Sequence, residues 1–345
     1  MRVVMLPNDV LFLNSGREFS AGETHLGVSQ PFVTPHTVAG AIRSALYIRD
    51  SFSFEDLIRP GEEEPGFEIL GVFFLRGEEL LPLPADVVED ENGKLTQVSI
   101  EGDVVTASGS VHFTPSGGFL GLGNLLRYLK GEQLDFERAT IPTDDVYTFE
   151  DRIGIGLTEG KTTAEGLLYR TRNLRLKEGT AISVWLGENG ERVRNALGNR
   201  GLLRLGGEGR FVRYSFDDAI PELPGPEVGE GELLKLYVAT PLILTERKDG
   251  KAYSTWDPAG ELARALGIGE EQIKIRWFFS GGTLPLTGWD MKNNHPKAVR
   301  YAVSPGSVYY VEIKGELGSL PGYLKLGELK RLGYGLVLPG RVKKN

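Results

Sequence analysis

Few residues of this chain invite a chemical reading, and most of those fail on spacing. The segment GIGLTEGKTT, Gly154 to Thr163, resembles a phosphate-binding loop. Such a loop needs four residues between its first glycine and the Gly-Lys-Thr, so that consecutive backbone N–H groups wrap the phosphates at a helix N-terminus. Counting from Gly156 leaves three residues, and from Gly154 five. The polar-apolar alternation from Gly166 to Leu176 also predicts a strand where the motif requires a helix. The four histidines, His25, His36, His112 and His295, form no HExxH pair, and none precedes an aspartate. No GxSxG elbow occurs, and Asp144-Asp145 and Asp217-Asp218 lack the flanking glycines of a polymerase palm. With no cysteine in the chain, thiol nucleophiles, disulfides, cysteine-ligated zinc and iron-sulfur clusters are excluded together. No catalytic residue, metal site or cofactor is expected. Acid-base chemistry stays open only through a histidine such as His25, beside Glu23 in a glycine-bearing loop.

A second chemistry is binding of phosphate by backbone and guanidinium. Glycine makes up 46 of 345 residues, well above the roughly 7% usual in proteins. Two glycine clusters each precede a short apolar run. Gly206, Gly207 and Gly209 lead into Arg210, and Gly333, Tyr334 and Gly335 follow Lys330 and Arg331. A glycine turn lets backbone N–H groups approach phosphate without a Cβ in the way, and the neighbouring bases supply charge. The alternative is two tight turns and nothing more. A further basic set comprises Lys161, Arg170, Arg172, Arg175 and Lys177. On a strand, Arg170 and Arg172 share one face, about 7 Å apart, while Arg175 points to the other. Arg17 in the first loop and Arg43 on the first helix complete the candidate RNA contacts, with a plain surface charge as the alternative for Arg43. Net charge is -8, the wrong sign for non-specific nucleic-acid binding over the whole surface, so any such site is local.

These residues have to be held by something, and the patterning points to a mixed α+β fold of two domains. The segment from Phe216 to Glu232, with three prolines, three glycines and repeated acids, reads as a linker between domains at 1–215 and 233–345. A helix is expected at His36 to Arg49, capped by Thr34, with Pro35 in its first turn and Val38, Ile42, Ala45 and Leu46 on one face. Hairpins are expected at 69–75 with 79–83 and at 166–176 with 181–186. In the second half the pattern gives strands at 233–244, 273–279 and 307–313 and a short helix at 259–266. The stretch 89–145 is expected as an insertion in the first domain, with loops or β-ribbon at 89–123. The first residues lack the apolar core of a signal peptide and no run approaches membrane-spanning length, so a cytoplasmic location without membrane contact is expected.

Three segments carry a resemblance. NDVLFLNSGREFSAGETH followed by SQPFVTPHTVAGAIRSAL, then DRIGIGLTEGKTTAEGLLYRTRNLRLKEGTAISV, and finally LGELKRLGYGLVLPGR are similar to the third subunit of the Cmr (type III-B) CRISPR assembly, in the repeat-associated mysterious protein (RAMP) superfamily. The likeness spans roughly residues 1 to 83, 146 to 215 and 233 to 345. It implies tandem ferredoxin-like (RRM-like) domains and a non-catalytic subunit of the effector complex. It further implies binding of the repeat-derived 5′ tag of CRISPR RNA, docking on the large polymerase-cyclase-like subunit, and a backbone RAMP subunit as neighbour. Phe211-Val212-Arg213-Tyr214 reproduces only the tail of the aromatic RRM signature. The competing readings are a RAMP-type endoribonuclease with a histidine acid-base, and a purely architectural subunit.

Overall fold

The first helix shows how closely pattern and structure agree. In the computed structural model, Pro35–Asp50 is helical, with Pro35 in its first turn and Val38, Ile42 and Leu46 buried on one face. Thr34 occupies the capping position, but its hydroxyl pairs with Thr37 Oγ1 at 2.8 Å instead of a backbone N–H. The structure describes residues 1–13, 26–101, 104–107, 111–112, 117–157, 163–218, 220–229, 231–290, 295–315 and 317–342. Arg17, His25 and Lys161 lie outside them.

The chain divides into two compact units. One comprises residues 1–76, 144–219 and 286–299, the other 77–143, 220–285 and 300–345. The break at 219/220 falls inside the expected linker. The segment 77–143 was expected to belong to the first domain and instead belongs to the second unit. Contacts explain the difference: the Ala85 N–H donates to Gly306 O at 2.8 Å, and Asp86 accepts from the Tyr310 hydroxyl at 2.5 Å.

The first unit is built on five antiparallel strands in the order Ile69–Arg76, Ala181–Leu186, Arg2–Pro7, Phe211–Asp217, Arg200–Arg204. Counting the first four in chain order, the sequence across the sheet is 4-1-3-2, with Arg200–Arg204 added at the outer edge. The helices Pro35–Asp50 and Gly190–Leu197 pack on each other and on one face of this sheet. Val3, Met5, Leu203, Val212 and Tyr214 point into that core.

A hairpin between 166–176 and 181–186 is not formed. Ala181–Leu186 is buried at every position, so its apolar run serves as a central strand. Thr163–Leu176 alternates and pairs instead with Tyr147–Leu157, in a long two-stranded ribbon joined in parallel by Leu26–Val28.

The second unit repeats the strand order. Ile273–Phe279, Val308–Ile313, Leu233–Val238 and Leu336–Arg341 are antiparallel neighbours, again 4-1-3-2. Its first crossover carries the helix Ala259–Leu266, whereas the second is a loop with the 3-10 turn Lys330–Leu332. Leu236, Val238, Leu262, Tyr309, Val311 and Val337 form its core. Each glycine cluster thus occupies the same topological place, just before the fourth strand. Among the described residues no helix is long and apolar enough to cross a membrane.

Candidate nucleic-acid interface

The ribbon carries several of the basic residues of the first unit. Its register sets Asp151 opposite Arg172 and Ile153 opposite Arg170. Strand alternation then brings both arginines to one face. There Asp151 bridges them, accepting from Arg170 Nη2 and from Arg172 Nε, each at 3.1 Å. The two side chains remain 60% and 51% exposed, so the bridge leaves most of both guanidinium surfaces to solvent. Phe149 lies beneath them, its ring centroid 6.0 Å from the Arg172 guanidinium carbon.

The opposite face carries a second cluster. Asp9 receives a two-pronged hydrogen bond from Arg152, at 2.7 and 2.9 Å, and further ones from Arg175 at 3.1 Å and Arg210 at 3.2 Å. Glu150 accepts from Arg152 Nε at 2.8 Å and from Arg175 Nε. Hydrogen bonding from Arg152 leads the causes that pull Asp9 down to about 2, against the opposing effect of burial. Glu150 is also lowered, first by its bond from Arg175. Across both faces five arginines share three carboxylates, so the ribbon and its root are locally positive on a negative chain. The sequence reading named Arg170, Arg172, Arg175 and Arg210. It missed Arg152 and the anchoring role of Asp9, because Asp9 lies 143 positions from Arg152 in the chain. The signal for Arg152 was the alternation of EDR with the partner strand.

The glycine clusters behave differently from the expectation. The Gly207 N–H donates to Phe12 O at 2.8 Å, and a Cβ on Gly206 would lie 2.5 Å from that same oxygen. These two glycines allow close approach to the Phe12 backbone. In the second unit, the Gly335 N–H donates to Pro241 O at 2.9 Å and the Gly333 N–H to Lys330 O at 3.2 Å. A Cβ on Gly335 would stand 1.8 Å from Leu326 O, and Tyr334 is fully buried. The phosphate cradle at Gly333, Tyr334 and Gly335 is therefore corrected to a packed turn in which the Gly333 and Gly335 N–H groups are already engaged, while at the exposed Gly206 and Gly207 the Gly207 N–H is turned to Phe12 O. Lys330 Nζ sits 3.7 Å from Glu261 Oε2, tying the turn to the Ala259–Leu266 helix, and Arg331 is half-buried in the same 3-10 turn. Arg210 stays with the arginine cluster through Asp9, and Gly209 is exposed at φ 65°.

Arg43 also serves the fold. Its guanidinium donates to Glu63 O at 3.1 Å and Glu62 O at 3.0 Å, stapling the loop after the first helix. Burial lowers its pKa, as expected for a cation drawn from water. His36 contacts Glu63 Oε1 at 3.3 Å. Among the described residues no group of three His, Asp or Glu side chains is placed to hold a metal ion.

Comparison with known proteins bears on this geometry. The family model described as CRISPR-associated protein (Cas_Cmr3) matches residues 3–342. No curated protein sequence matches the chain. A chain of the type III-B Cmr-beta complex bound to cognate target RNA is 18% identical with a TM-score of 0.55, over 90% of this chain and 86% of that one. The same complex with AMPPnP gives 18% and 0.54 over the same shares. A chain of the Csm1-Csm4 cassette with AMPPNP is 15% identical, with a TM-score of 0.40 over 100% of this chain and 98% of that one.

Proposed function

Because the chain belongs to the Cas_Cmr3 family of CRISPR-associated proteins, the RAMP subunits of type III-B Cmr assemblies, we propose that it is a non-catalytic subunit gripping the repeat-derived 5′ tag of CRISPR RNA. In this reading it docks on the large polymerase-cyclase-like subunit, abuts a backbone RAMP subunit, and works in the cytoplasm. The observation that carries the RNA contact is the ribbon face where Arg170 and Arg172 stand exposed over one shared carboxylate. Arginine on a strand suits phosphate because its planar fork offers paired donors and stays charged at any working pH. The 4-1-3-2 strand order in both units supports tandem ferredoxin-like domains.

Non-catalysis is supported by the failed phosphate-loop spacing and by the strand that occupies Thr163–Leu176. The chain should then turn over neither RNA nor nucleotide. The test of the reading is to purify the chain with its neighbours and sequence the RNA that comes with it. A fixed repeat-derived 5′ end on the bound RNA is the expected result. RNA with random 5′ ends, or no RNA, would refute the assignment.

A further inference from the structure

The sheet of the first unit has a helix-covered face and an opposite face, and along its outer three strands the second is not covered. Alternation places Leu6, Phe211, Arg213, Arg200, Leu202 and Arg204 on it, all exposed. Register arranges them in rows. Phe211 lies opposite Arg204, Arg213 lies between Leu6 and Leu202, and Arg200 lies opposite Ser215. Successive rows are about 7 Å apart along the strands. Phe211 is 45% exposed, Leu202 59% and Leu6 43%, so three large apolar side chains of the sheet stand open to solvent.

Charge decides what such a face receives. Nearly every other arginine of this unit is engaged by a carboxylate or a carbonyl. Among the described residues none forms an ion pair with Arg200, Arg204 or Arg213. The acids at the far end of the sheet are already engaged, Asp217 by Arg2 and Asp218 by Arg194. A Cβ on Gly209 would stand 3.8 Å from Arg204 Nη2, so this guanidinium lies against the turn that carries the exposed Glu208. Cations alternating with apolar groups, one of them the planar Phe211 ring, on an open sheet match a polyanion carrying planar bases. Phosphates meet the guanidinium groups while bases stack on Phe211 and on the arginine planes. An acidic peptide would use the free edge of Arg200–Arg204 for backbone pairing and would leave the Phe211 ring, on the neighbouring strand, unused.

We propose that this face, with Arg213 in its middle row and Phe211, Arg204 and Arg200 in the rows on either side, is a second single-stranded RNA platform, distinct from the ribbon. It rests on the RNA-binding reading above. The test titrates a fluorescein-labelled single-stranded RNA of mixed sequence against the full chain at several low salt concentrations. Phe211→Ala should weaken binding about tenfold with an unchanged salt slope. Arg200→Gln with Arg204→Gln and Arg213→Gln should flatten the log-log slope by roughly 2, since each phosphate contact contributes about 0.7 for single strands. Should the triple variant fail to fold, Phe211→Ala and Arg213→Gln alone decide the matter. Unchanged binding in these variants, with loss in Arg170→Ala plus Arg172→Ala, overturns the platform and leaves the ribbon. Intact RNA binding with loss of a co-purifying subunit also overturns it, assigning the face to a protein. If the unaltered chain and its complex bind no RNA, the RNA-binding reading itself falls and takes the platform with it.

Discussion

Gly335 illustrates how a residue chosen for one chemistry turns out to serve another. Its φ of 68° and the 1.8 Å approach of a would-be Cβ to Leu326 O leave room for glycine alone. Gly335→Val should therefore lower the thermal midpoint strongly, with the strain of a non-glycine residue at this φ adding about 1 to 3 kcal/mol to the clash. A variant that melts like the parent would contradict the packed-turn account. Lys235 is another residue whose environment is measurable. It is 1% exposed, its ammonium 3.7 Å from the Tyr128 ring centroid, and burial pushes it down to about 8 while Asp86 pulls the other way. Between about 8 and the ordinary 10.5 the unfolded chain binds the proton that the folded chain has lost. Stability from this group therefore rises with pH across that window. Burial holds the Tyr128, Tyr237 and Tyr310 hydroxyls protonated above their ordinary 10, so they withdraw stability once pH passes that value. Denaturant titrations from pH 7.5 to 10 should show the rise, and Lys235→Met should abolish it.

At the scale of elements, the ribbon is a lever arm whose root is clamped by Asp9. Because Asp9 is held near 2 and ordinarily titrates at 3.8, its contribution is present above about 4 and lost as pH falls toward 2. The face of Arg170 and Arg172 is tuned differently, since Asp151 occupies part of the two arginines proposed to meet RNA. Asp151→Asn should free both and tighten single-stranded RNA binding at low salt, read by fluorescence anisotropy. Weaker or unchanged binding would argue that the pair is structural. Much of this element map was legible in the sequence. The strand Ile273–Phe279 and the helix Ala259–Leu266 fall where their patterns put them. The ribbon's partner was not legible, because Thr163–Leu176 and Ala181–Leu186 are joined by a turn of hairpin length yet differ in burial, and burial decides pairing. Nor was the packing of the glycine turns, since a glycine needed for close approach and one needed for ligand access look alike in a sequence.

For the whole molecule, the net charge of -8 sets the terms. Long-range repulsion opposes RNA everywhere except where arginines cluster, so the chain alone should bind generic RNA weakly and act in an assembly that completes the groove. The interleaving of 77–143 with the C-terminal segments shows why a division by linker composition alone misplaced that stretch: the contacts that hold it are side-chain hydrogen bonds to residues over 200 positions away, such as Asp86 to Tyr310. The central claim is that the ribbon face of Arg170 and Arg172 touches RNA phosphates. It is tested most directly by the salt dependence of tag-bearing CRISPR RNA binding to the assembled complex, with and without Arg170→Ala plus Arg172→Ala. Loss of two phosphate contacts should flatten the log-log slope by roughly 1.4, while an identical slope and affinity in the double variant would contradict the claim.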